Sequence, residues 1–197
     1  MIKTICVFCG SSTGAGNIYK ERAKQLAEFF IQRQIQMVYG GANVGLMGIL
    51  ADTMLQHNGQ VIGVMPQHLV DREVAHTSLT RMHIVADMQE RKALMARLSD
   101  AFITLPGAYG TLDELFEMLT WNQLHLVTKP VGLLNINGFF NSLIEMLDHA
   151  MEQQFLRPEH RGILLVDENE EQLLQKMNDY QPVTAEKWIE RLKMGKI

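Results

Sequence analysis

The stretch Ala101-Phe102-Ile103-Thr104-Leu105-Pro106-Gly107-Ala108-Tyr109-Gly110-Thr111-Leu112-Asp113-Glu114 holds a complete architectural unit. The apolar run from Ala101 to Leu105 reads as a buried strand, Pro106 and Gly107 as a tight turn, and the residues from Thr111 onward as a helix. Gly107 and Gly110 allow the backbone to approach a ligand, and the free N–H groups of a helix start suit a phosphate. Taken alone, the turn can also be read as a plain strand-to-helix connection, the weaker of the two readings.

Outward from this unit, short apolar runs alternate with longer helical patterns along the whole chain. Strands are expected near 2–9, 35–39, 60–65, 82–85, 101–105, 131–135 and 163–166. Helices are expected near 17–33, 45–57, 88–98, 111–124, 138–153, 169–178 and 184–194. Strict alternation of this kind predicts an α/β fold, a doubly wound parallel sheet of about seven strands flanked by helices. A chain of 197 residues fits one domain, read here as residues 1–180, with residues 181–197 as an amphipathic helical extension bearing Trp188, Ile189 and Leu192. That extension can dock on its own domain or on a neighbour. Gly10-Ser11-Ser12, Gly40-Gly41-Ala42-Asn43, Asp87 and the Pro106–Gly110 segment all fall where strands hand over to helices. In an open α/β sheet those turns gather at the carboxyl ends of the strands, where ligands bind.

Bulk composition narrows the function. A formal charge of −4 and a pI near 6.0 offer no broad basic surface for a nucleic acid backbone. One anionic nucleotide is still compatible, because a few local donors suffice for it. The amino-terminal apolar run is too short for a signal-peptide core or a membrane span, so the expected location is the cytoplasm, with no membrane partner. Cys6 and Cys9 form a C-x-x-C pair inside a strand-like run rather than at a helix start. A strand sends them to opposite faces, which makes them core residues and not a redox couple.

Several motifs are missing. The first turn, Gly10-Ser-Ser-Thr-Gly14-Ala-Gly16, is not G-x-G-x-x-G, and the second strand ends Val38-Tyr39-Gly40-Gly41 without an acidic residue for a ribose hydroxyl, so a dinucleotide site is not expected. No P-loop, no H-E-x-x-H and no compact histidine spacing occurs, so no metal or cofactor is expected, and none of the seven histidines is assigned chemistry. Ser11 and Ser12 lack the nucleophile elbow.

Two constellations carry chemistry. In the helix after the turn, Leu112, Leu115, Phe116 and Leu119 read as the core stripe, with Met118 and Trp121 on the opposite side beside Glu114 and Glu117. That second apolar face is expected to meet another subunit or line a pocket, sheltering Glu114 and raising its pKa. In Asp87-Met88-Gln89-Glu90-Arg91-Lys92-Ala93-Leu94-Met95, Asp87 and Glu90 have capping-box spacing. Arg91 then falls within the apolar stripe of Met88, Leu94, Met95 and Leu98, where a guanidinium needs either a carboxylate or an anionic ligand. Lys92 is expected to face solvent unless a phosphate draws it inward.

These residues resemble the Lonely Guy family, often mislabelled as lysine decarboxylases, whose hallmark P-G-G-x-G-T-x-x-E appears here as Pro106-Gly107-Ala108-Tyr109-Gly110-Thr111-Leu112-Asp113-Glu114. The likeness continues through Gly40 to Gly48, Glu73 to His76, Met88 to Met95, Thr120 to Leu124 and Lys129 to Asn135. The resemblance implies a Rossmann-like fold and hydrolysis of the N-glycosidic bond of a purine-type nucleoside 5′-monophosphate, AMP or a cytokinin-type monophosphate, without cofactor. It implies Arg91 and Glu114 as the catalytic pair, with Glu73, Lys92, the loop of Ala108, Tyr109, Gly110 and Thr111, and Thr120 contacting the nucleotide. It also implies a homodimer or larger homo-oligomer with the interface beside the site. On this reading the phosphate sits at the Gly107–Thr111 turn, helped by Gly40 and Gly41. Ala108 departs from the hallmark glycine; if the position needs a positive φ, it carries a strain of roughly 1–2 kcal/mol. A nucleotide sensor or carrier without turnover is the competing reading that Ala108 favours, and a DNA-binding relative is a second one that the acidic balance opposes.

Overall fold

Strands buried on both faces have no side for polar residues, and the central runs obey this: Ile5-Cys6-Val7-Phe8, Met37-Val38-Tyr39 and Ala101-Phe102-Ile103-Thr104 are buried throughout. The structure, a computed structural model, describes residues 2–71 and 75–182. Among these, β1 (Thr4–Phe8), β2 (Gln36–Tyr39), β3 (Val61–Pro66), β4 (Arg81–Val85), β5 (Ala101–Thr104), β6 (Val131–Leu134) and β7 (Leu164–Asp167) form one sheet in the order β4-β3-β2-β1-β5-β6-β7. Every neighbouring pair is parallel.

Helices cover both faces. On one side α1 (Ile18–Gln32), α2 (Gly45–Gln56) and α8 (Glu170–Asn178) pack Leu26, Phe30, Leu50, Met54 and Leu173 against Ile5, Val7 and Cys9. On the other, α4 (Met88–Leu98), α5 (Tyr109–Gln123) and α6 (Asn141–Glu152) pack Met95, Leu115, Met118 and Ile144 against Cys6 and Phe8. Cys6 and Cys9 thus belong to opposite cores, both free and buried, as a strand's alternation requires.

The strands wind outward in one direction from β1 to β4 and in the other from β5 to β7. The switch point lies between β1 and β5, and the backbone stitches it shut: Leu105 N–H donates to Phe8 C=O at 2.9 Å, and Gly10 N–H to Pro106 C=O at 3.0 Å. A crevice at the carboxyl ends of these two strands follows from the topology.

Three differences from the sequence reading are instructive. Two one-turn helices, α3 (Gln67–Val70) and α7 (Pro158–Arg161), and a 3-10 turn at Ile136–Gly138 were not anticipated, being too short to show a period. The helix expected from 138 starts at Asn141, because Asn137 and Gly138 take left-handed φ values of 53° and 68° and form a turn instead. On α5 the deeply buried line is Thr111, Glu114, Leu115, Met118 and Asn122, so Met118 belongs to the chain's own core and is not held for a second subunit. Leu112 and Leu119 are half-buried beside that core, and Trp121 packs against it as well. The helix is rotated from the expected phase because a carboxylate occupies its inner face, which a hydrophobic pattern cannot register. The helix expected at 184–194, and with it almost all of the 181–197 extension, lies outside the described residues.

Candidate active site

A cavity of about 350 Å³ opens at the switch point, lined by the turns after β1, β2 and β5 and by the first residues of α4 and α5. Its volume is in the range of small-ligand sites. Helix α4 is aimed at it by a well-formed cap. The Asp87 carboxylate accepts from the backbone N–H groups of Gln89 and Glu90, and the Glu90 carboxylate accepts from Ala86 N–H at 2.8 Å, so the capping pair closes one residue before the cap itself. One turn into α4, Arg91 enters the cavity, its side chain only 11% exposed.

Its partner is Glu114, one turn into α5, whose side chain is also 11% exposed. Arg91 Nη2 and Glu114 Oε1 are 3.5 Å apart. Nη1 donates to the sulfur of Met88, and Nε is buried with no partner. Buried guanidinium donors are expensive to leave unmatched, and Arg91 Nε is one of them. The close approach of its guanidinium depends on Gly40, since a Cβ there would fall 1.9 Å from Nη2.

Burial pushes the Glu114 carboxyl up to about 7. Arg91 pulls it down, Asp113 pushes it up, and Lys92 and Glu117 contribute smaller opposing effects. The group is therefore poised near neutrality, where a carboxyl can exchange its proton during a reaction.

Helix α5 begins at the cavity with Ala108 as its N-cap and no capping side chain. Its first-turn N–H groups have no partner within the helix and stand ready for an anion. Ala108 has φ −110° and ψ −146°, so the positive φ that would have strained an alanine is not required.

Of the residues singled out from sequence, Arg91, Glu114, Gly40, Gly107, Ala108, Gly110 and Thr111 come together around the cavity. Tyr109 is 91% exposed and Thr120 faces solvent further down α5. Neither lines the cavity, and Gly41 lies behind its wall. Lys92 was expected to face solvent but is drawn inward, its side chain 12% exposed, with Nζ 3.0 Å from Asp113 and 3.2 Å from Glu117 on the seam between α4 and α5. Burial works against its charge, and the hydrogen bonds to Asp113 and Glu117 outweigh it and raise the ammonium pKa. Glu73 lies outside the described residues.

Sequence reasoning passed over the Gly10–Gly14 turn, Tyr19, Met47, Met88 and Phe139, which also line the cavity. The turn after β1 matches neither the dinucleotide fingerprint nor the nucleophile elbow, yet Gly10, Ser11, Ser12, Thr13 and Gly14 all line the cavity. Among the described residues no group of three or more His, Cys, Asp or Glu is placed to hold a metal ion, and no helix is long and apolar enough to cross a membrane.

Known proteins resemble this chain over most of its length. A family model described as "possible lysine decarboxylase" matches residues 47–177. Cytokinin riboside 5′-monophosphate phosphoribohydrolase LOG5 of Arabidopsis thaliana is 44% identical over 181 residues, 92% of this chain and 79% of that protein. The LOG7 enzyme of the same plant is 46% identical over 180 residues, 91% of this chain and 83% of that one. Among solved structures, a molybdenum cofactor binding protein from Rippkaea orientalis superposes with a TM-score of 0.66 at 20% identity, covering 91% of this chain and 97% of its own, which is a likeness of fold alone. With identity this high across nearly the whole length, the chain belongs to the Lonely Guy family of phosphoribohydrolases.

Proposed function

We propose that the protein hydrolyses the N-glycosidic bond of a purine-type nucleoside 5′-monophosphate at this cavity, releasing free base and ribose 5-phosphate. The observation that carries the reading is a buried cation–carboxylate pair, Arg91 and Glu114, 3.5 Å apart beside an uncapped helix start. The relatives' activity on cytokinin riboside 5′-monophosphates supplies the substrate class.

The phosphate is held at the start of α5 by the N–H groups of the Ala108–Thr111 turn, where its charge meets the positive end of the helix dipole. Anchoring it there fixes the ribose relative to Glu114 and makes the attack effectively intramolecular. As the bond between the anomeric carbon and the base nitrogen breaks, its electron pair leaves with the base and positive charge grows on the sugar. The Glu114 carboxylate stabilises that charge and takes a proton from the attacking water, whose oxygen joins the anomeric carbon. Glu114 then gives that same proton up to the departing base, so the water's hydroxyl ends on the sugar, its proton on the base, and the carboxylate is restored. Arg91, which lines the cavity, orients the nucleotide and supports departure of the base.

The protein works as a homo-oligomer in the cytoplasm, without nucleic acid. Leu124, Leu126, Met146 and Phe155 are each more than half exposed, at 52%, 68%, 63% and 91%, and such exposed apolar side chains support association with another copy. The negative charge of −4 argues against a nucleic acid partner. The negative φ of Ala108 removes backbone strain as a ground for reading the chain as a sensor without turnover.

Chromatography of a panel of nucleosides and their 5′-monophosphates tests the reading. Base and ribose 5-phosphate appear only from the monophosphates, and N6-substituted and unsubstituted adenosine monophosphates rank the base preference. Equal cleavage of nucleosides lacking the phosphate contradicts the assignment of the α5 start.

A further inference from the structure

Behind the cavity wall stands a hydrogen-bonded assembly to which the reaction assigns no part. His76 is buried, with its side chain 4% exposed. Its backbone N–H donates to the Gly41 carbonyl at 2.8 Å, and the preceding residue, Ala75, bridges Ala42. Its ring Nε2 lies 3.0 Å from Asp52 Oδ1 on α2, while Ser78 N–H donates to Nδ1 at 3.1 Å. A backbone N–H can only donate, so Nδ1 is the acceptor and Nε2 carries the ring proton, which goes to Asp52. His76 therefore ties the turn after β2, through its backbone N–H, to helix α2 and the segment leading into β4, through its ring.

What these ties hold is the wall that Arg91 rests on. Two consecutive glycines form the most permissive backbone a chain can offer. Gly41 sits at φ +79°, and Gly40 is close enough to Arg91 that no side chain fits between them. A wall so pliable fixes a guanidinium only if the wall itself is fixed from outside. The strand that delivers the turn carries the Tyr39 phenol, fully buried, whose pKa is raised by burial first and then by the charges of Cys9 and Asp52, which puts the Asp52 carboxylate within electrostatic reach of the same turn.

We propose that His76 is a positioning residue for Arg91: by clamping Gly41 to Asp52 it sets the Gly40–Gly41 wall and so the aim of the guanidinium toward Glu114. This role rests on the hydrolase reading given above.

Two substitutions separate the two ring contacts. Gln in place of His76 brings an N–H donor toward Asp52 but gives up the acceptor for Ser78, whereas Asn keeps an acceptor near the Nδ1 position and is too short for Asp52. The expected result is that His76→Gln retains most of kcat/KM, while His76→Asn loses about 10- to 100-fold, mainly in kcat, as misplacement of a catalytic group does, with both variants melting close to wild type. In an Arg91→Ala background His76→Asn costs nothing further, because residues acting through one another are not additive. Amide hydrogen exchange supplies a readout free of turnover: the amides of residues 40–46 exchange faster in His76→Asn than in wild type, with His76→Gln between them. Equal rates in the two single variants, a loss that multiplies with Arg91→Ala, or unchanged exchange in the turn overturns the proposal. If wild type releases no base from any nucleotide, the hydrolase reading fails on its own, and the exchange measurement alone decides whether His76 holds the turn.

Discussion

Gly40 and Arg91 meet at a contact that exists only because one of them has no side chain: a Cβ on Gly40 would lie 1.9 Å from Arg91 Nη2 and 3.0 Å from Cζ. The glycine stands at the carboxyl end of β2 and the arginine one turn into α4, so sheet and helix are registered to each other through this point. Gly40→Ala therefore expels the guanidinium from beside Glu114. The expected outcome is a loss of about 100-fold or more in kcat/KM, the scale of a displaced catalytic group, with a cooperative melting transition retained. Wild-type kinetics in Gly40→Ala would show that Arg91 does not need its present position.

Ala108 yields the opposite expectation. Its φ of −110° is open to any residue, so the methyl group costs no backbone strain. Restoring the hallmark glycine by Ala108→Gly brings no gain in turnover and destabilises the fold by about 0.4–1 kcal/mol through the freer unfolded chain. Denaturant melts and initial rates on AMP measure both. A several-fold rise in kcat would show that the methyl group crowds the ligand.

Most of the scaffold was legible because the central strands are short apolar runs separated by longer helical patterns, and the boundaries of the strands and long helices among the described residues fall within three residues of the expected ones. The pairing of Arg91 with Glu114 was legible only in part. A charged residue in an apolar stripe announces that it needs a partner, but whether the partner is a carboxylate or a ligand is decided by the packing of α4 against α5. The phase of α5 was misread for the same reason, since Glu114 and Asn122 occupy its inner face where a pattern of apolar residues expects Leu112 and Phe116. Lys92 shows the complementary limit: the carboxylates of Asp113 and Glu117 draw it inward, and their convergence is a tertiary fact.

The raised pKa of Glu114 makes both stability and rate depend on pH. Between the ordinary value of 4.5 and about 7 the folded protein holds a proton that the unfolded chain has released. The stability linked to that proton is fully present below the unfolded value and is lost as pH rises through about 7. The melting temperature of Glu114→Gln relative to wild type accordingly becomes more favourable from pH 5 to pH 8, in thermal melts at matched ionic strength. Because the carboxylate is the working form, kcat/KM rises with pH and levels off above about 7, and that limb is absent from any residual activity of Glu114→Gln. A rate that falls through the same window would assign Glu114 to its protonated form.

Lys92→Met probes how the neighbouring charges tune that limb. Lys92 lowers the Glu114 pKa, whereas Asp113 and Glu117 raise it. Removing the ammonium takes away one of the two cations that hold the value down, leaving Arg91, and the rising limb of kcat/KM moves to higher pH. An unmoved limb would mean that solvent already screens these charges from Glu114.

The most direct measurement compares wild type, Glu114→Gln and Arg91→Ala for two quantities at once, AMP affinity by calorimetry and base release by chromatography. The account predicts folded proteins in all three cases, nucleotide binding in Glu114→Gln close to wild type because the α5 start is intact, and base release reduced by at least 100-fold in both variants, the scale reached when one electrostatic stabiliser is removed. Base release at wild-type rates from both variants would place the chemistry elsewhere and contradict the account.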